Sequence, residues 1–208
     1  MIPTNHLIVD QFPRSNAYHP DWVVANASGG ANSLWLTDWL TSALELKSGM
    51  NVLDLGCGCA CSSIFLAREY DVTARFVKPS GLIAIAGAGL NHEIEDSLPD
   101  HLQQWWASEP SMWSLHSPAW WRRHWERTGI VDVLIADTMA DGWQLWLQWH
   151  RTIAPNNLIE INAVQSDSGT HLGYQRVVGR RLPNVHLDEP IVSLPSSFCQ
   201  KPLLCSRQ

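Results

Sequence analysis

The chain of 208 residues has no apolar run of the ~20 residues needed to cross a bilayer. Its N-terminus lacks a basic segment followed by an apolar one, so the expectation is a cytoplasmic protein with no membrane partner. Basic residues are scarce: 14 Lys and Arg stand against 20 Asp and Glu, a net charge of −6. A nucleic-acid backbone needs clustered cations, so nucleic acid is not expected as a partner. There is no His-x-x-x-His or His-Glu-x-x-His, and no metal is expected from local spacing. A Gly-x-Ser-x-Gly elbow is absent too. The five Cys include no Cys-x-x-Cys pair. Three of them, Cys57, Cys59 and Cys61, alternate around one turn, and no second cluster completes a set of four zinc ligands. They read as small apolar residues packed beside the turn, with a reactive thiol at a helix start as the other reading.

What is present is a globular composition, 45% hydrophobic and 16% charged, long enough for one domain with a sizeable core. Twelve Trp exceed what one small core normally holds, so several are expected at a pocket or an interface. The organising stretch is Val52-Leu53-Asp54-Leu55-Gly56-Cys57-Gly58-Cys59-Ala60-Cys61-Ser62-Ser63. A short apolar run ends in an acid, a glycine turn follows, and Ile64 to Glu69 continue at helical spacing. Gly56 and Gly58 suit the turn because glycine tolerates positive φ and lets a ligand approach the backbone. The amides that open the helix then face that ligand.

Preceded by Leu46-Lys47-Ser48-Gly49-Met50-Asn51, this stretch resembles motif I of the class I S-adenosylmethionine-dependent methyltransferases. The resemblance implies that the glycine turn underlies the methionine part of the cofactor, with Asp54, Gly56, Cys57 and Gly58 at the cofactor site. Ala60 stands where the usual pattern has a third glycine. Farther along, Ser117-Pro118-Ala119-Trp120-Trp121-Arg122-Arg123-His124-Trp125-Glu126-Arg127-Thr128-Gly129 and Asp141-Gly142-Trp143-Gln144-Leu145-Trp146-Leu147 resemble the C-terminal half of a bacterial branch of the same family. The resemblant domain spans residues 21–181, with residues 1–20 as an N-terminal arm and 182–208 as a Pro-rich, loosely packed tail.

One part of the family pattern is missing. After Glu69-Tyr70-Asp71-Val72 the family's second strand should end in an acid that grips the ribose hydroxyls. The chain passes instead to Thr73-Ala74-Arg75-Phe76-Val77-Lys78-Pro79-Ser80-Gly81-Leu82, which resembles the approach to the fifth strand. At about thirty residues per βαβ unit, roughly sixty residues spanning strands two to four are absent. Asp71 is the nearby acid able to stand in for the ribose acid. Each unsatisfied buried group on the ribose costs ~1–3 kcal/mol, so a half-site binds weakly unless a partner subunit completes it.

The fold expected from this is α/β, a reduced Rossmann-like methyltransferase fold with a short, mostly parallel sheet flanked by helices. Strand Val52–Leu55, helix Ser62–Glu69 and strand Leu82–Ala86 are expected to form one βαβ unit. The first strand then loses a neighbour, and its edge predicts a homodimer, with exchanged elements. Helices are further expected over 33–44, 117–129 and 141–151, with Ser117 as N-cap, Pro118 at the first helical position and Gly129 at the end. Strands are expected over 130–136 and 173–180.

The expected function is a methyltransferase-like protein acting on a small molecule, with a partly lost S-adenosylmethionine site. His titrates near neutrality and serves as a general base toward a hydroxyl or amine acceptor. His92 follows the fifth-strand segment, where open α/β sheets bind ligands, and His116 precedes a helix N-cap. These two are the candidate catalytic residues. His101 and His124 share the Trp-rich region, and His124 is read as a surface or packing residue. A hydrolase of esterase or lactonase type is the alternative, needing Ser62, Ser63 or a cysteine as nucleophile with a His brought from elsewhere. A non-catalytic dimeric remnant is the third reading.

Overall fold

The computed structural model describes residues 5–27, 30–52, 54, 61–70, 73–74 and 80–183. Within these, helices α1 (Pro20–Ala25), α2 (Ser33–Thr41) and α3 (Cys61–Tyr70) belong to the first half. Two short strands flank α3, β1 (Asn51–Val52) and β2 (Thr73–Ala74). The second half holds β3 (Leu82–Leu90), α4 (Asp100–Ser108), α5 (Pro118–Glu126), β4 (Val131–Thr138), α6 (Gly142–Ile153), α7 (Leu158–Asp167) and β5 (Leu172–Arg181).

The main sheet is antiparallel, and the expected mostly parallel sheet is corrected here. Its order is β3-β5-β4, with both pairings antiparallel. Leu82–Leu90 does not lie beside the motif I strand; it runs its whole length against β5, from Leu82 opposite Arg180 to Leu90 opposite Leu172. The physical reason is the ladder that β5 offers, along all of β3 on one edge and along most of β4 on the other. Among the described residues β1 pairs in parallel with β2, Asn51 opposite Thr73 and Val52 opposite Ala74. The βαβ unit therefore exists, but as β1–α3–β2, and among the described residues it forms its own two-stranded sheet.

A central strand covered on both faces cannot alternate cleanly, because both of its faces are interior. The alternation expected over 173–180 gives way to near-complete burial of Leu172 to Gly179, with Gln175 and Val177 among the buried residues. Leu172 and Tyr174 face the larger core, where the Trp146 ring stacks on Tyr174 at 5.7 Å and Trp105 meets Trp146 edge-on at 5.8 Å. Val177 faces the smaller cluster, with Val131, Val133, Trp121 and Trp125. Five tryptophans, at 35, 105, 106, 146 and 149, are buried core residues. Trp149 donates its indole N–H to the Gly30 carbonyl at 2.7 Å and ties α6 to the first half.

Residues of the expected arm are irregular yet packed. Leu7, Phe12 and Tyr18 are buried, and the buried Asp38 on α2 accepts from the amides of Arg14 (3.1 Å) and Ser15 (3.0 Å). A buried carboxylate is tolerated only when donors of this kind surround it.

The turn into β5 is built to a fixed shape. α7 ends at Asp167, then Ser168 and Gly169 take φ of 51° and 79°, and the Thr170 amide donates to the Asp167 carbonyl at 2.9 Å. A Cβ on Gly169 would sit 2.3 Å from Cδ1 of Trp143. Gly169→Ala therefore combines left-handed strain with overpacking, and should lower the unfolding free energy by about 1–3 kcal/mol in urea titration. A change within experimental error would show that Trp143 has room to move.

Candidate functional site

Three segments of β3, α5 and β5 converge on one open cavity of about 510 Å³. β3 ends at Leu90, whose amide donates to the His116 carbonyl at 3.2 Å. The next residue, Asn91, gives its amide to the His171 carbonyl (2.7 Å) and its side-chain N–H to the Gly169 carbonyl (2.8 Å). These bonds lock the β3 exit, the α5 entry and the β5 entry together. Lining the space are Asn91, His92, Glu93, Ser117, Arg123 and His171, with Glu95 and Asp96 adding two more carboxylates.

Glu93 holds the α5 side. Its Oε1 accepts from the Ser117 amide and from the Ser117 hydroxyl, both at 2.7 Å. The Ser117 Oγ in turn accepts from the Trp120 amide at 3.2 Å, so Ser117 is the N-cap that its sequence position predicts. Glu93 Oε2 lies 3.2 Å from Nδ1 of His116. Burial pushes the Glu93 carboxyl up, but the Ser117 hydroxyl and amide and then His116 outweigh it and hold it below its ordinary value. The His116 ring stacks on Trp120 at 3.7 Å and 6°, and Trp120 stacks on His124 at 4.7 Å. His116 is thus a fixed imidazole, oriented by a carboxylate at one nitrogen and by an indole face.

The β5 side is held by Asp167, whose side chain is fully buried. Its Oδ2 accepts from the amides of His171 (2.9 Å) and Leu172 (2.8 Å). Its Oδ1 meets Nε2 of His101 at 3.0 Å and Nδ1 of His171 at 2.8 Å. Burial alone would raise the Asp167 carboxyl, yet the Leu172 amide, His101, and the amide and ring of His171 bring it below the ordinary carboxylate range. His92 stands at the cavity, exposed, with its ring 5.3 Å from that of His171.

Of the two candidate bases, His92 lines the cavity, whereas His116 does not line it and is tied to it through Glu93. His101, Asp167 and His171 were not foreseen as a group. Their partners lie 66 and 4 residues apart, so only the packing of α4 against α7 assembles them. The Asp167-x-x-x-His171 spacing is the one local signal that could have pointed to them.

The motif I residues divide. Asp54 accepts from the hydroxyls of Ser62 (2.5 Å) and Ser63 (2.8 Å) on one oxygen, Oδ2, and so anchors the start of α3. Gly56, Cys57, Gly58 and Asp71 lie outside the described residues. Cys61 is buried, with its thiol directed at the Asn26 carbonyl (3.7 Å). Both serines proposed as nucleophiles are committed to a carboxylate, and no histidine bonds to either among the described residues.

No family model matches this chain, and no curated protein matches it. Among solved structures it is similar to the X-ray structure of YjhP from Escherichia coli, a structural-genomics target. The identity is 13% and the TM-score 0.46, over 86% of this chain and 99% of that one. Among the described residues, no helix is long and apolar enough to cross a membrane.

Both lowered carboxylates predict acid sensitivity. A carboxyl whose folded pKa lies below its unfolded value contributes stability that is complete above the unfolded value, near 4, and is lost as pH falls through the folded one. Stability should hold between pH 5 and 7 and then decline below about pH 4. Asp167→Asn should flatten that acid limb and cost at least about 2 kcal/mol at pH 7, because four donors lose a charged acceptor. Urea titrations of both proteins across pH check this, and an unchanged acid limb would show that other carboxylates govern it.

Proposed function

We propose that the chain is an S-adenosylmethionine-dependent methyltransferase-like protein that acts on a small molecule. The observation that carries the reading is the β1–α3–β2 unit, two parallel strands joined by a helix whose first turn is fastened by Asp54 through Ser62 and Ser63. A parallel strand–helix–strand unit with an acid at the end of its first strand is the framework that the motif I resemblance requires. Asp54 fits that framework as the acid that fastens the start of α3 through Oδ2, which accepts from the hydroxyls of Ser62 and Ser63.

The cofactor would be held by Gly56, Cys57 and Gly58, with Asp71 toward the ribose. When bound, S-adenosylmethionine supplies an electrophilic methyl group. The chain's own residues act on the acceptor. Glu93 and the Trp120 ring fix the His116 imidazole, so that a proton on an acceptor hydroxyl or amine meets an oriented base. His92 offers a second imidazole, next to His171. Three carboxylates, Glu93, Glu95 and Asp96, face one guanidinium, Arg123, so the cavity favours a neutral or cationic acceptor over an anion. We propose further that two copies associate, because the sequence lacks the segment that supplies the ribose and adenine contacts in the family it resembles.

Isothermal titration with S-adenosylmethionine and S-adenosylhomocysteine tests the reading, with sedimentation alongside for the dimer. Micromolar binding that falls at least about tenfold in Asp54→Ala supports it. No binding at millimolar ligand overturns it, and ester and lactone substrates then become the ones to try.

A further inference from the structure

The trio His101, Asp167 and His171 belongs neither to the acceptor bases nor to the motif I turn. Its three donor atoms, one from each side chain, lie within 4.8 Å of one another. We propose that these residues bind one divalent transition ion of the zinc class. The donor set is two imidazoles and one carboxylate, which suits zinc and other late first-row divalent ions.

Geometry supports it. Tetrahedral bonds of 2.0–2.1 Å to zinc place ligand atoms about 3.3 Å apart. Here Oδ1 of Asp167 is 3.0 Å from Nε2 of His101 and 2.8 Å from Nδ1 of His171. Widening these two gaps by a few tenths of an ångström admits the ion, and the two ring nitrogens, within 4.8 Å of each other, adjust to the same spacing. The carboxylate is already aimed, because the amides of His171 and Leu172 hold Oδ2 and leave Oδ1 facing the rings. Such outer bonds orient the ligands of metal sites. Access exists as well: the His101 and His171 side chains are 29% and 19% exposed, while Asp167 is 0% exposed.

Proton balance is simple. The ring nitrogens that face Oδ1, Nε2 of His101 and Nδ1 of His171, give their lone pairs to the ion, and each coordinated ring carries its proton on the other nitrogen. The fourth position is left to water or to His92, whose ring is 5.3 Å from that of His171. Three protein ligands with one open position is the arrangement of catalytic rather than structural zinc.

The test needs no methyl donor, so its outcome is independent of the function proposed above. The full chain is stripped with chelator, titrated with Zn²⁺ against a chromophoric competitor, and its retained metal is counted by mass spectrometry. One zinc per chain is expected, with affinity falling tenfold or more in His101→Gln, which keeps an N–H for Asp167 but loses the imidazole. His171→Ala should do the same. The cysteines of the motif I turn are a rival zinc site, and Co²⁺ substitution separates the two, because thiolate ligands add charge-transfer absorption that imidazole and carboxylate do not. Histidine side-chain NMR of the unaltered chain gives a readout that does not depend on either variant folding; two rings should shift on adding one equivalent of Zn²⁺. No stoichiometric zinc, unchanged affinity in both variants, thiolate absorption, or no shifted histidine would each overturn the proposal.

Discussion

The sheet depends on where β5 begins, and Asp167 decides that. Its carboxylate takes the amides of His171 and Leu172, so the first two residues after the turn are held before the ladders start. A slip of one residue would turn Tyr174 away from Trp146 and bring Val177 out of the smaller cluster, since side chains alternate faces with a period of two. Because β3 and β4 each pair with β5 and not with each other, that one anchor sets the register of the whole sheet. The same carboxylate gathers His101 from α4 and thereby joins a helix, a turn and a strand at a single buried charge. Such a charge is tolerable only because every oxygen has its donors.

Several elements were legible in the sequence because their signals are local. Ser117-Pro118 marked the start of α5, and the structure shows that cap bond formed. Gly129 takes a φ of 70° just past the helix, the conformation glycine supplies at a helix end. The strands at 131–138 and 172–181 and the helix at 142–153 agree with the hydrophobic pattern within a few residues. α7 was missed. Leu158 and Ile159 are exposed while Glu160 and Asp167 are buried, so its apolar pattern is inverted at the ends and offers no clear periodicity.

Sheet direction was illegible for a different reason. Strand pairing is a long-range choice, and the family resemblance supplied a parallel answer for a segment, Leu82–Leu90, whose own residues fit either direction. β5 settles the matter with an antiparallel ladder along the whole of Leu82–Leu90. The candidate site follows the same division. His92 and His116 could be singled out from their positions after a strand and before a helix. Asp167 and His171 could not, because what matters about them is that α4 brings His101 to the same oxygen. Sequence spacing sees ligands on one element; it does not see ligands that three elements bring together.

The strand order carries one more consequence, for the ribosome. β3 and β4 emerge before β5, and among the described residues neither has a sheet partner until β5 threads between them. During synthesis two ladders of apolar edge stand open at once, through the making of α6 and α7, a state prone to pairing with the wrong chain. Contacts of this sequence separation also form slowly, since the loop must close before the ladder rewards it. The nascent protein therefore has a stretch of its life in which it needs shielding, and that interval ends only when Arg181 reaches its place opposite Val131.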